Sequence, residues 1–350
     1  MLDRVTPRHV PARVVTAPHR TLLARGPSAR QFGLDPAGSV AVEALPEPVL
    51  PLLEGLREPT VSVEWVGRAT TAGVGPDYAA ALLAGLVARG VLVDAEVGPR
   101  QAARRAAARV EVRGEGPLAA ATALGLARGG IGAVHVVSRG PVERGELGGG
   151  LDPAQLGRAR GAAAAAAIGG LGLGTDTGPG PPGSWPDLVV LADALVPDPG
   201  AVAALQAAGV DHLVVSVREG VGVVGPLVLV GRSACLGCVE LGRARWDPAW
   251  PALSAQLAGR RGSAEPETVA ATAALGAAQA LVQLDGAARP PTLGAALELD
   301  PHAGRLTRRV WEADPRCSCG WAGRLRRASL PRTASAETCA APGGRETIMG

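Results

Sequence analysis

The chain has 350 residues, 47% of them apolar, which is enough for roughly two or three domains with cores of their own, and no run of about eighteen apolar residues marks a membrane-spanning helix. Thirty-five basic against thirty-two acidic residues leave a formal charge of +3, too balanced for a nucleic-acid footprint or a polybasic membrane anchor. Every basic residue is Arg, with no Lys and no Asn in the chain, so a mechanism that needs a lysine ammonium is excluded for this chain acting alone, and the expected partner is a peptide or small molecule.

Along the chain, the first 25 residues carry Pro7, Pro11 and Pro18 and no apolar block of a secretory signal, which predicts a cytoplasmic protein. Thr21-Leu22-Leu23-Ala24, Ala29-Arg30-Gln31-Phe32-Gly33-Leu34 and Ser39-Val40-Ala41-Val42-Glu43 are partly alternating runs between turn residues, the pattern of a small antiparallel meander. Helical spacing follows at Val49, Leu52, Leu53 and Leu56. It returns at Tyr78, Leu82, Leu83, Leu86 and Val87, between a Pro76-Asp77 start and Gly90. Residues 1–100 therefore read as one module of three strands and about three helices, and the Ala/Arg-rich residues 101–108 as a linker helix.

A second pattern then begins. Arg109-Val110-Glu111-Val112-Arg113 predicts a strand, Pro117 to Arg128 a helix, and Ala133 to Val137 a second strand, which together make a βαβ unit. Further strands at Leu188 to Leu191 and His212 to Val217, with a helix over 201–207 between them, imply an α/β fold with a doubly wound, mostly parallel, Rossmann-like sheet. Residues 169–184 read as a Gly/Pro-rich loop, and residues 322–350 as a disordered tail containing Cys339, to which no role is given.

Gly114-Glu115-Gly116 sits between the first strand and its helix, where glycine lets a backbone approach a phosphate and leaves helix amides facing the anion. Pro117 removes one amide from that cradle. Ser138 stands where an acidic residue would grip a ribose. Two readings remain open: a tight turn without ligand, or a nucleotide site.

Cys235-Leu236-Gly237-Cys238 and Cys317-Ser318-Cys319 account for four of the five cysteines as two close pairs. Four thiolates in two chelating pairs fill a tetrahedral zinc shell with no open position, so a structural zinc is expected. Buried thiols and a redox dithiol at Cys235 and Cys238 are the alternatives. Trp246, Trp250, Trp311 and Trp321 flank the pairs and are expected to pack around the zinc knob. His302 reads as a surface histidine.

Taken together, several segments resemble a family. The strand followed by Gly-Glu-Gly-Pro-Leu, Val142-Glu143-Arg144-Gly145-Glu146-Leu147, Gly157-Arg158-Ala159-Arg160, and Val223 to Leu229 running into the first cysteine pair are similar to the ThiF/MoeB adenylyltransferases, relatives of ubiquitin-activating enzymes, over residues 106–321. The resemblance implies a Rossmann-like domain that binds ATP, adenylates the carboxylate of a small protein, carries a four-cysteine zinc and forms a homodimer. It places Arg160 at a phosphate-binding lysine and Asp193 at a Mg²⁺-binding aspartate. The sequence departs from the family at Ser138 and Gly140, where an acidic pair is usual, at Glu146 and Gly149-Gly150, and in having Arg for Lys at position 160. An Arg is not a conservative replacement at such a site, which implies a degenerate nucleotide site at Gly114, Gly116, Ser138, Arg160 and Asp193 and doubtful use of ATP and Mg²⁺.

Residues 1–100, with Gln31-Phe32-Gly33-Leu34-Asp35-Pro36 and Leu86 to Asp94, are similar to PqqD-like precursor-recognition elements, which have a winged-helix-like fold. That resemblance implies a ribosomal precursor leader peptide added as a strand beside Val40 and Val42 and resting on Leu82 and Leu86. The whole chain then resembles the ThiF-like, leader-binding partner of a YcaO-type cyclodehydratase in azole or azoline peptide biosynthesis, of the kind found in high-GC actinobacteria. The alternative is an active ATP-dependent adenylyltransferase acting on a peptide or carrier-protein carboxylate. A dinucleotide-binding oxidoreductase is a third reading and leaves the cysteines unexplained.

Overall fold

The structure, a computed structural model, describes residues 10–324. The chain divides into two compact units, residues 1–106 and 107–350. In the first, the elements are β1 (Arg13–Thr16), β2 (Leu22–Gly26), β3 (Ala29–Phe32), β4 (Val40–Val42), α1 (Val49–Glu54), β5 (Thr60–Val61), α2 (Ser62–Thr71), α3 (Pro76–Ala88) and β6 (Leu92–Asp94). β2, β3 and β4 form the antiparallel meander that the alternation predicts, with Leu22 opposite Phe32 and Arg30 opposite Val42. A second three-stranded sheet, ordered β5-β1-β6, was not expected. Its strands are two to four residues long and pair across the module, Arg13 with Val61 and Val14 with Asp94. Such segments are too short to carry an alternating pattern.

α3 starts on Pro76, whose missing N–H would be unpaired in a first turn anyway, and is followed by Gly90 at φ +65° while Val91 N–H donates to Leu86 O at 2.9 Å. One face of α3 sends Ala79, Leu83 and Leu86 into a core with Phe32, Leu53, Leu56 and Trp65. Trp65 is fully buried, and its indole N–H is satisfied by Leu52 O at 2.9 Å. The adjoining face carries Tyr78, Leu82, Gly85 and Arg89.

α4 (Val97–Ala107) covers the expected linker helix and leads into the second unit. Its elements are β7 (Arg109–Arg113), α5 (Pro117–Arg128), β8 (Ala133–Val137), α6 (Arg160–Gly169), β9 (Leu188–Ala192), α7 (Pro199–Ala208), β10 (His212–Arg218), β11 (Val221–Val228), α8 (Leu236–Trp246), α9 (Trp250–Leu257), α10 (Pro266–Asp285), β12 (Ala295–Asp300) and β13 (Arg305–Val310). The seven-stranded sheet runs β13-β12-β11-β10-β9-β7-β8. β8, β7, β9 and β10 are parallel, as the βαβ pattern predicts, and β11, β12 and β13 join antiparallel. Five strands thus share one direction, and the antiparallel ones are additions the sequence did not reveal.

Helices cover both faces of the sheet. α5, α6 and α10 pack on the side of Val110, Val112, Leu213 and Val215, and α7 packs Val202 and Leu205 against Val189 and Leu191. All five residues of β9 are buried, as a central strand covered on both faces requires. α10 lies close to α5 and β10 because small residues let it: a Cβ at Gly125 would sit 2.8 Å from Ala277, and one at Gly276 2.9 Å from Val215. Of the tail expected from residue 322, residues 322–324 are helical, and Arg324 donates to Cys319 O at 2.8 Å. The rest, with Cys339, lies outside the described residues. Among the described residues no helix is long and apolar enough to cross a membrane.

Candidate functional site

Three constellations in the chain hold the residues singled out by sequence. The first is the glycine turn between β7 and α5. Asp193, one residue past β9, is buried and held at φ +71°. Its carboxylate accepts the amides of Gly116 and Leu118, each at 2.9 Å, and of Ala119 at 3.3 Å. These are the free N–H groups of the first turn of α5, the donors that an anion would otherwise take. The two glycines fit the same contact. A Cβ on Gly114 would lie 2.5 Å from the Asp193 carboxylate, and one on Gly116 2.6 Å from it. Close backbone approach is required here, and what approaches is a side chain of the same protein.

Around this plug the charges are paired internally. Arg160, at the start of α6, is buried, and its guanidinium contacts Glu146 at 2.6–3.0 Å, Glu143 at 3.2 Å and Arg139 O at 2.6 Å. Arg261, which the sequence reading missed, bonds Glu115 O and reaches Glu143 at 3.1 Å and Glu146 at 3.5 Å. Its distance from the motif in sequence, 146 residues from Glu115, is why no spacing rule finds it. The Glu146 hydrogen bond raises Arg160 above the usual guanidinium value, and the Arg261 hydrogen bond lowers Glu143. The guanidinium groups of Arg160 and Arg261 are therefore both engaged by Glu143 and Glu146.

Beside the turn, at the ends of the parallel strands, is a pocket of about 570 Å³ lined by Gly114, Ser138, Arg139, Ala192 and Arg261 among others. This crevice is where open α/β sheets place ligands. Ser138 lines it with a buried hydroxyl that has no hydrogen-bond partner among the described residues. Arg139 also lines it, and no ion pair engages it among the described residues.

The second constellation is the cysteine cluster. Cys235 caps α8, Cys238 lies in its first turn, and Cys317 and Cys319 follow β13. Their sulfurs are 3.9 Å (235–238), 3.5 Å (235–317) and 3.7 Å (238–319) apart, and all four lie within 4.8 Å of one another. A tetrahedral ion with Zn–S bonds of about 2.3 Å spaces its sulfurs about 3.8 Å apart, so the donor set fits zinc. Gly237 leaves room for the cluster, since a Cβ there would come within 3.1 Å of the Cys317 sulfur and crowd it. Without a cation, hydrogen bonding to Cys235 and burial push Cys238 up to about 12, and burial pushes Cys317 up to about 11. A bound dication reverses that preference by holding thiolates.

Of the flanking tryptophans, Trp311 is buried and packs on Trp246 at 5.3 Å between ring centroids, but Trp246 is 65% exposed. Trp250 donates to Glu240 at 2.6 Å and lines a separate apolar cavity of about 560 Å³ between α7, α8 and α9. His302 sits in the turn between β12 and β13, outside the cluster.

The third constellation lies in the first unit. Val40, Val42, Leu82 and Leu86, expected at a peptide site, line one groove of about 490 Å³ together with Tyr78, Gly85, Glu43 and Arg89. β4 is the last strand of its sheet, so its outer edge pairs with no other strand among the described residues. Leu86 is 2% exposed and belongs to the core as well as to the groove floor, and Leu82 is half-buried.

No family model matches the sequence, and no curated protein does. Solved structures do share the fold. Escherichia coli MccB with ATP has a TM-score of 0.69 at 13% identity, covering 88% of this chain and 99% of that one. The microcin C7 biosynthetic enzyme MccB in complex with N-formylated MccA has 0.68 at 12%, with the same coverage. A heterocyclase in complex with substrate and cofactor has 0.58 at 15%, covering 91% of this chain and 41% of that one. At these identities the likeness is one of fold.

Two outcomes follow from this geometry. Metal analysis of the purified chain is expected to find one zinc per chain, lost together with thermal stability of the second unit in Cys235→Ala and Cys317→Ala; a wild-type chain that stays metal-free in zinc-supplemented buffer would contradict it. Burial, opposed by the three amide bonds, raises Asp193 from 3.8 to about 6. The native state therefore holds more protons than the unfolded chain between about pH 4 and 6, and the stability this group contributes falls as pH rises through that window. In urea unfolding, wild-type stability minus that of Asp193→Asn should decline from about pH 4 to 6 and level off above. A difference that climbs with pH would show that the amide bonds outweigh burial.

Proposed function

We propose that the chain is a peptide-binding, catalytically degenerate partner protein with a ThiF/MoeB-like second unit, which presents a ribosomal precursor peptide to a separate, ATP-using YcaO-type cyclodehydratase. The observation that carries this reading is the groove between the free edge of β4 and α3. An extended leader peptide would pair its backbone with β4 and set alternate side chains on Val40, Val42, Leu82 and Leu86. The fold is shared with a microcin C7 biosynthetic enzyme solved in complex with N-formylated MccA and with a heterocyclase solved with its substrate and cofactor, which supports a role in peptide modification. Asp193, bonded to the start of α5, and Arg160 and Arg261, both paired with Glu146, support a second unit used as a platform.

In this reading a zinc ion held by Cys235, Cys238, Cys317 and Cys319 supplies a cross-link, tying the start of α8 to a turn 82 residues away in sequence from Cys235 to Cys317. It has no open position and takes no part in chemistry. The likeness to MccB with ATP, the strand-end pocket, the unpartnered Ser138 hydroxyl and Arg139 favour a second reading, an adenylyltransferase acting on a peptide carboxylate. Substrate-dependent exchange of pyrophosphate into ATP would mark it.

The test is reconstitution. A precursor peptide and YcaO enzyme encoded beside this gene should form azolines, read as loss of one water per ring by mass spectrometry, at least about tenfold faster with this chain present. Val42→Pro, which spoils the β4 edge, and Leu82→Arg, which fills the groove with a charge, should remove that gain. Cyclisation that is indifferent to the chain, or to both variants, would refute the assignment.

A further inference from the structure

Resting on the peptide-binding reading of the first unit, we infer that Arg89 selects an acidic side chain on the peptide, and that the preferred occupant is an extended segment carrying Asp or Glu about four or six residues from the side chain that covers Tyr78, with apolar residues at alternate positions between them.

The groove is apolar along its length and charged at its margins. Among the described residues, the charged side chains that line it are Glu43 and Arg89. Glu43 already has a cation, Arg25, at 3.9 Å. Arg89 has no ion pair or side-chain hydrogen bond among the described residues, and its guanidinium lies back over Gly85, where an added Cβ would be 3.6 Å from Nη1. The glycine keeps that part of the floor low and leaves the cation facing the open groove. One uncompensated positive charge beside an apolar channel complements a single negative charge on an otherwise apolar segment.

The spacing follows from the two geometries that meet in the groove. Tyr78, Leu82, Gly85 and Arg89 share one face of α3 and line the groove together, with Tyr78 near the start of the helix and Arg89 at its C-cap. Eleven helical residues rise about 16 Å. An extended chain covers that length in about five residues. A strand added to β4 turns every second side chain to the same face as Val40 and Val42, which gives the alternation and makes the separation of the two groove-facing ends even, about four or six residues. Tyr78 is 41% exposed and is the single tyrosine of the chain, a flat, half-open surface for an apolar or aromatic side chain at the other end.

The probe is a displayed library of random peptides roughly twelve residues long, about twice the groove's span, selected on the full zinc-loaded chain. Enriched peptides are then labelled and titrated by fluorescence anisotropy. The expected result is an acidic residue at a fixed place about four or six positions from an apolar or aromatic one, on the same face of the strand. Arg89→Glu should weaken such a peptide at least about tenfold, Arg89→Gln by less, and exchanging the peptide's acid for Lys should restore binding to Arg89→Glu. Arg89 is exposed, so both variants should melt with the wild type. Peptides that still require an intact β4, losing affinity in Val42→Pro, yet carry no fixed acid or bind Arg89→Glu equally well, would overturn the role of Arg89 and leave the groove reading standing. No enrichment, or binding untouched by Val42→Pro, would overturn the groove reading and this inference with it.

Discussion

The amides of Gly116, Leu118 and Ala119 at the start of α5 converge on the carboxylate of Asp193, and the second unit is arranged around that contact. A helix N-terminus is a standing demand for negative charge. Here the demand is met from the end of β9, so Gly114 and Gly116 must stay glycine for Asp193, and Asp193 must accept a left-handed backbone and a largely dry environment. The contact ties α5 to β9 at the edge of the strand-end pocket. It also sets the electrostatics next door, because a carboxylate already present makes Glu143 and Glu146 affordable only when Arg160 and Arg261 answer them.

The two units divide the work differently. In the second, Asp193, Arg160, Arg261, Glu143 and Glu146 are engaged within the protein, and the four cysteines bring distant segments together. In the first, an edge strand and one face of α3 have no partner among the described residues, and the cation beside them, Arg89, has no anion there. Satisfied groups stabilise a platform, whereas open hydrogen-bonding edges and apolar grooves are what a peptide ligand requires. The proposed function follows from that contrast.

Much of this arrangement is legible in the sequence. Alternation gives β7, partial alternation between turn residues gives the meander, the βαβ grammar gives β8, Pro starts and Gly stops bracket α3 and α7, and paired cysteines lead to the cluster. What escapes is whatever depends on contacts across long stretches of chain. β1, β5 and β6 are too short to carry a period. β12 and β13 carry several charged residues, Glu298, Arg305, Arg308 and Arg309 among them, which mask their strand pattern. Arg261 has no motif, and the meaning of Gly-Glu-Gly changes once Asp193 is seen to fill it. Glycine spacing reports that something approaches the backbone closely. It does not say whether that is a phosphate or the protein's own carboxylate.

The central claim is that the anion seat of the glycine turn is already taken and the second unit serves as a platform. Isothermal titration of the zinc-loaded chain with Mg-ATP tests it most directly. The account predicts no heat of binding at millimolar nucleotide. Micromolar binding that depends on Mg²⁺ and disappears in Gly116→Val would contradict it, and would make the strand-end pocket a working nucleotide site.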